Sequence, residues 1–327
     1  METNIYKIDP WEIIEEGWDP GKVMGSESIF SIGNGAMGQR ANFEEDFSGK
    51  TFKGSYIGGI YYPDKTKVGW WKNGYPEYFA KVINAPSWIG ISILIDGIPL
   101  DLNKVDKIEK FERKLDMKNG LYERSISINT NNNLKVEIDS KRFLSMKRKH
   151  IGAISYSIKC SRDVKITLSP YIDFDVSNDD SNWDEKFWET TEKINTLNKS
   201  LVKSKVKKTG FKVITYMKAD LYDNNIKLEK PFIAKSDSKK ILLESKHKLN
   251  KGHTLKLVKF GGYVTSECNE WNKIENKTNE ILNFLENTSF ESLYQEHKLE
   301  WAKIWEQSDI KISGDNKSQQ AIRFNIF

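Results

Sequence analysis

Up to about residue 265 the chain alternates apolar and polar side chains with a period of two, the pattern of strands that turn one face to a core and the other to water. Ile89, Ile91, Ile93 and Ile95 alternate up to Asp96-Gly97, a favoured two-residue turn, and Ile98, Leu100 and Leu102 resume beyond it, which predicts a β-hairpin. A second hairpin is predicted around Asn119-Gly120, with Phe111, Arg113 and Leu115 before the turn and Tyr122, Ser125-Ile126 and Ile128 after it. Further short strands are predicted at Leu134/Val136/Ile138, Ile154/Tyr156/Ile158, Val164/Ile166/Leu168, Val213/Thr215/Met217 and Leu255/Leu257. Many short strands with turn signals between them and no interleaved helical pattern predict a mainly β fold, a large antiparallel β-sandwich rather than a parallel α/β sheet.

The texture changes after Gly262. From Tyr263 to Ser313 there is no glycine or proline, and Trp271, Ile274, Ile281, Phe284, Leu285, Leu293, Tyr294, Trp301, Ile304 and Trp305 fall mostly at helical spacings. Two helices are predicted, with a break near Asn287-Thr288-Ser289. Their apolar faces need a surface, and the sandwich is not expected to supply all of it, so a missing neighbour is expected. Gln319 to Phe327 (QQAIRFNIF) begins an amphipathic pattern and stops without a cap or a polar tail, which predicts a coding unit that continues. The expected division is a sandwich over 1–265, a helical linker over 266–313 and the start of a further helical unit over 314–327.

Charge narrows the partners. Lys plus Arg number 51 against 46 Asp plus Glu, a net +5 spread along the chain, so no nucleic-acid partner is expected. The most basic run, Lys141 to Lys149 (KRFLSMKRK), reads as a strand end with its charged side chains in water. The N-terminus, METNIYKIDPWEIIEE, has neither a basic start nor a signal-length apolar stretch, and no segment approaches the roughly 20 apolar residues of a membrane span. Cys160 and Cys268 are too few and too far apart for a disulfide framework or a zinc site. A soluble, cytoplasmic protein without a membrane partner is the expectation.

Gly33-Asn34-Gly35-Ala36-Met37-Gly38 satisfies the G-x-G-x-x-G pattern and follows a predicted strand, Ser28 to Ile32. No long amphipathic helix follows, so the glycines are read as a tight turn rather than a dinucleotide site. Asp173 to Asp184 (DFDVSNDDSNWD) resembles a calcium loop in its oxygen-bearing positions, but Asn178 stands where the loop needs glycine and Asp184 where it needs a bidentate glutamate. It is read as a polar loop at the sandwich rim, with no metal assigned. His150, His247, His253 and His297 lie in separate segments, and no serine elbow, Walker loop or HExxH occurs. No catalytic residue is assigned within this chain. The stretch Gly58 to Trp88 (GGIYYPDKTKVGWWKNGYPEYFAKVINAPSW) is rich in aromatic rings beside polar groups, which suits either stacking on sugar rings or a structured loop that packs its rings under itself or on a partner subunit.

Phe30 to Phe43 (FSIGNGAMGQRANF), that aromatic stretch, Asp173 to Glu189 with its NWDEKFWE, and the terminal SDIKISGDNKSQQAIRFNIF resemble the corresponding parts of glycoside hydrolase family 65, and within it the members that act on maltose. The resemblance covers essentially the whole chain. It implies a super-sandwich, a helical linker and an (α/α)6 barrel starting near Arg323, with only the start of that barrel present here. It implies inverting phosphorolysis of an α-linked disaccharide to β-glucose 1-phosphate and glucose, with inorganic phosphate as co-substrate and no other cofactor. One carboxylic acid protonates the departing oxygen while phosphate takes the place of an activated water.

The catalytic residues of the family belong to the barrel, so residues 1–327 alone are expected to be inactive. Loops of the sandwich lean over the barrel mouth in this family. That makes Trp70, Trp71, Lys72, Tyr75, Asp179, Trp183 and Trp188 candidates for the substrate rim or for a homodimer contact, and Arg323 and Asn325 candidates at the barrel start. Kojibiose, nigerose and trehalose remain alternative substrates, and a stand-alone carbohydrate-binding or assembly module remains an alternative of another class.

Overall fold

The period-two segments pair throughout into antiparallel sheets in a computed structural model that describes residues 6–67, 74–130, 132–197, 199–265 and 269–327. The larger sheet has 11 strands, in the order Lys7–Ile8, Glu12–Glu16, Lys107–Asp116, Leu121–Asn129, Lys135–Leu144, Gly152–Cys160, Thr254–Val264, Lys212–Asp223, Ser200–Val206 and Trp188–Asn195, with Ile226–Lys227 paired onto Lys212–Asp223. The smaller has 5, in the order Ile233–Ser236, Lys240–Leu249, Val164–Asp173, Ile91–Ile95 and Ile98–Pro99. Two small additions complete the β structure: a sheet of Ile32–Gly33, Met37–Gln39 and Ser55–Ile57, and a hairpin of Tyr61–Lys65 with Tyr78–Val82.

Alternation decides which side chains enter which layer. Val136, Ile138, Ile154, Tyr156, Ile158, Leu255 and Leu257 of the large sheet meet Ile91, Ile93, Ile166, Leu168, Ile241 and Leu243 of the small one in a single core. Each such fully buried side chain contributes roughly 1.5–3 kcal/mol. The opposite face of the large sheet carries Leu121, Phe143, Ala153, Ile214, Tyr216, Val258 and Phe260, and these form a second core with the helices. Strand Thr254–Val264 is therefore buried on both faces, and its alternation gives way to a continuous buried run from Leu257 that includes Lys259.

Four helices are present among the described residues: α1 (Val23–Ile29), α2 (Trp271–Glu286), α3 (Phe290–Ser308) and α4 (Asn316–Ile326). The break between α2 and α3 lies where the sequence predicts it, and Ser289 caps α3 by accepting from the Ser292 N–H. Ile274, Ile281, Leu282 and Leu285 of α2 and Phe290 and Leu293 of α3 pack on the outer face of the large sheet. The outer sheet face is thus apolar enough to receive these side chains, while Leu299 of α3 and Ile310 and Ile312 beyond its end stay exposed. No helix among the described residues is long and apolar enough to cross a membrane.

Two local expectations also change. Ser28 and Ile29 end α1 rather than beginning a strand, and only Ile32–Gly33 is extended. α1 is short, contains Gly25 and has no side-chain cap, so it leaves little helical pattern to read. The turn at Asn119-Gly120 spans four residues, because Asp116 pairs with Leu121, and Gly120 alone takes a left-handed φ of 62°. A Cβ on Gly120 would lie 1.9 Å from the Trp301 indole nitrogen, so this glycine serves helix docking as well as the turn. At Asp96-Gly97, by contrast, both residues have positive φ and Ile95 pairs with Ile98, the two-residue hairpin predicted.

Candidate functional site

The aromatic hairpin and the loop after Asp173 come together at one end of the sandwich. Tyr62 faces inward from the hairpin, stacks on Phe187 at 4.1 Å between ring centres and donates its hydroxyl to Glu185. Asp64, also buried, takes an ion pair from Lys81 at 2.8 Å and the Asn182 N–H at 3.2 Å. Asn178 locks the second contact, accepting the Asn84 N–H at 2.9 Å and donating to the Val82 carbonyl at 2.9 Å. Tyr61, Tyr75, Tyr78, Phe79 and Val82 of the hairpin are exposed, and Trp183 on the adjoining loop is 56% exposed with the Lys67 ammonium 5.1 Å above its ring.

The candidate residues therefore separate by position. Trp70, Trp71 and Lys72 lie outside the described residues, as does Cys268. Tyr75 is 49% exposed at the hairpin tip, with its ring 6.2 Å from that of Phe79. Trp188 is buried at 8% exposure and donates its indole N–H to the Asn84 carbonyl at 2.5 Å, so it anchors the loop and presents no free ring face. Tyr78, Phe79 and Val82, which sequence reasoning did not single out, carry much of the exposed surface. Their signal was available as a mostly apolar run, Tyr78 to Val82, which the structure leaves exposed at four of its five positions.

Asp179 stands at the edge of a cleft of about 960 Å3 lined by residues from segments 42–55, 84–105 and 171–179, together with Thr130, Asn132, Leu134 and Arg162. Trp88 fixes the middle segment by inserting its indole into a slot made where Gly152 pairs with Gly261; a Cβ on either would lie within 2.6 Å of the ring. Tyr171 lies over Gly90 and donates its hydroxyl to Asp46 at 3.0 Å, with the Lys240 ammonium 3.9 Å from its ring centre. Burial pushes the Asp173 carboxyl above its ordinary range, against the N–H of Asp175 and the charges of Lys240 and Lys53. Asp175 goes the other way, held down by hydrogen bonds from Lys186 and Lys239. The oxygens of the loop 173–184 are thus dispersed onto separate partners. Among the described residues no group of three or more His, Cys, Asp or Glu side chains could hold a metal ion.

Under the cleft lies a buried charge cluster that composition did not reveal. Arg124 reaches Glu45 at 2.5 Å and Glu44 at 2.8 Å, and Arg142 reaches Glu44 at 3.3 Å, all four with fully buried side chains. Burial opposes the charged form of Arg124, but Glu45 and Glu44 outweigh it and hold its proton more tightly than usual. Arg142 also donates to the Asn42 carbonyl at 3.2 Å, so the reading of 141–149 as wholly solvated is corrected at this position. Its partners lie about a hundred residues away, beyond what local alternation reports. Lys259 is buried too, and donates to the Gly90 and Tyr171 carbonyls at 2.8 and 2.9 Å.

The G-x-G-x-x-G segment forms the hairpin between Ile32–Gly33 and Met37–Gln39. Asn34 accepts the N–H groups of Ala36 and Met37 and donates to the carbonyls of Ser145 and Lys149. At the far end of the chain Arg323 is buried, pairs through two nitrogens with Asp309 at 2.8 and 2.9 Å, and lies 3.6 Å over the Trp11 ring. Asn325 donates back to the Ala321 carbonyl within α4. These contacts tie the last helix to the first strands and leave Arg323 committed to them.

The family model described as Glycosyl hydrolase family 65, N-terminal domain, matches residues 13–304. Maltose phosphorylase of Bacillus subtilis (strain 168) is 36% identical over 100% of this chain and 42% of its own length. Alpha,alpha-trehalose phosphorylase of Thermoanaerobacter brockii is 30% identical over 99% of this chain and 43% of its own. Among solved structures, "Putative kojibiose phosphorylase from human microbiome" superposes with a TM-score of 0.87 at 26% identity, covering 98% of this chain and 41% of that one. The chain spans less than half the length of these relatives.

Proposed function

From the premise that the chain belongs to glycosyl hydrolase family 65, through that family's N-terminal domain, we propose that the whole protein is a maltose phosphorylase and that residues 1–327 are its non-catalytic front part. The observation that carries the choice of maltose is the 36% identity to a maltose phosphorylase along the full length of this chain. In this reading the protein splits maltose with inorganic phosphate into β-glucose 1-phosphate and glucose. A carboxylic acid elsewhere in the protein protonates the departing oxygen, and phosphate attacks the opposite face of the sugar ring. The exposed rings of Tyr75 and Trp183, with Asp179 and the segment Trp70 to Lys72, form the substrate rim or the contact of a homodimer, with Trp188 holding that loop in place. Arg323 and Asn325 stand at the start of a helical barrel over 314–327, joined to a sandwich over 1–265 by the linker 266–313.

Phosphate-dependent release of glucose from maltose by the whole protein, and none by residues 1–327, tests the reading. Faster turnover of trehalose, kojibiose or nigerose would replace the substrate and keep the reaction class. Tyr75→Ala and Trp183→Ala distinguish the two roles of the hairpin: a raised KM at unchanged dimer content supports the rim, and dissociation in analytical ultracentrifugation supports the dimer contact. A protein that binds maltose with no phosphorolysis would favour the carbohydrate-binding module instead. A cytoplasmic location belongs to the same reading, and cell fractionation that recovers the protein outside the cell would withdraw it.

A further inference from the structure

The cleft lined by segments 42–55, 84–105 and 171–179, together with Thr130, Asn132, Leu134 and Arg162, has a volume in the ~300–1,000 Å3 range of small-molecule sites. Several of its carboxylates are already committed: Glu45 to Arg124, Asp175 to Lys186 and Lys239, and Asp101 to the N–H groups of Ser48 and Asn103. Others keep capacity among the described residues. Asp46 uses one oxygen on the Tyr171 hydroxyl, and Asp173 uses one on the Asp175 N–H. A separate observation concerns Asn84. Its amide nitrogen is fixed by the carbonyls of Lys53 and Ser177, and its Oδ1 is left buried in the cleft wall without a hydrogen-bond partner among the described residues. Such an atom is costly until a donor reaches it.

The open groups are mostly acceptors, and they stand beside apolar surface from Phe47, Ile89 and Val176. A suitable ligand brings several donors and an apolar face. Phosphate and nucleotides meet the carboxylates of Asp46, Asp173 and Asp179 and are repelled, because the wall cations Lys104 and Arg162 are already paired with Asp101 and Asp96. The ammonium groups of Lys53 and Lys240 near Asp173 already supply positive charge, which removes the advantage of a cationic ligand. We propose that this cleft binds a neutral saccharide of one or two rings, its hydroxyls donating to Asp46, Asp173 and Asn84 and its C–H face resting on the apolar wall. The proposal rests on the cleft alone and stands apart from the phosphorylase reading.

Isothermal calorimetry of the 327-residue chain with glucose and with maltose tests it, with inorganic phosphate and spermidine as competing probes. Saturable binding of either sugar at a Kd of about 1 mM or tighter is expected, and Asp173→Ala and Asn84→Ala should each weaken it about tenfold or more. Lys53→Ala, at an exposed position, should change affinity without changing the melting temperature, which keeps the test decisive if the wall variants unfold. Tyr78→Ala on the hairpin should leave the binding unchanged. No saturable heat from either sugar, tighter binding of phosphate or spermidine, or sugar binding indifferent to all three cleft substitutions would overturn the proposal, whatever the outcome of the maltose assay.

Discussion

Glu45 and Arg124 illustrate how one buried residue binds others to its own charge state. Both side chains are fully removed from water, and the guanidinium is shared with Glu44. Removing one partner of such a pair leaves an uncompensated charge in the interior, at a cost of about 3–5 kcal/mol. Glu45→Gln should therefore lower the unfolding free energy in urea by that amount, while Lys135→Ala, in an exposed pair with Glu137, should leave it nearly unchanged. Lys259 makes a different prediction because no carboxylate among the described residues pairs with it directly. Burial holds its ammonium well below the ordinary lysine value of 10.5, against a weaker pull from Glu44. The unfolded chain then binds a proton that the folded one releases, so stability rises with pH from the folded value toward 10.5 and is lost as pH falls. Urea unfolding of the wild type and Lys259→Met from about pH 7 to 10 should show their difference moving in favour of the wild type as pH rises. A difference independent of pH would place the proton elsewhere.

Helix α3 is held to the sheet by side chains spaced about two turns apart. His297 accepts the Met146 N–H on Nδ1 at 3.1 Å and donates from Nε2 to the Gly120 carbonyl at 3.0 Å, while Trp305 donates to the Met117 carbonyl at 3.0 Å. Both ring nitrogens of His297 are used in its neutral form. Burial lowers its pKa to about 4, the carbonyl contacts of Gly120 and Asn119 offsetting only part of the effect. A base with a depressed folded pKa loses stability as pH falls from 6.5 toward 4, here by about 3 kcal/mol in total. His297→Gln can keep both hydrogen bonds, so its acid unfolding should begin at lower pH than that of the wild type. Equal acid midpoints would count against the role. At this scale the sequence was most legible where a pattern is local: the Asp96-Gly97 hairpin, the strands around Ile138, Ile154 and Ile166, and the break before Ser289. It was least legible where a partner is distant. Nothing near Arg142 announces Glu44, and nothing near Asn84 announces Asn178, so the buried cluster and the cleft had no signature in the chain. The aromatic hairpin was partly legible, since its composition marked the segment but could not separate inward Tyr62 and anchoring Trp188 from exposed Tyr78 and Trp183.

For the whole molecule the large sheet is a middle layer, covered by the smaller sheet on one side and by α2 and α3 on the other. A chain ending at residue 265 would keep every strand and lose the cover over Phe143, Ile214, Tyr216, Val258 and Phe260. Such an apolar face marks an aggregation surface. That truncation should collect in the insoluble fraction or self-associate in light scattering, while the 327-residue chain stays dispersed; a monomeric, cooperatively melting product of 1–265 would mean that the outer face is stable in water. The strand order carries a consequence in time as well. Gly152–Cys160 waits for Thr254–Val264, its neighbour in the middle of the sheet, across roughly a hundred residues, or about 5–20 s of ribosomal elongation. During that interval a growing chain presents an unpaired, apolar strand edge, which makes its birth more hazardous than its finished state and gives a holding chaperone a defined stretch to shield.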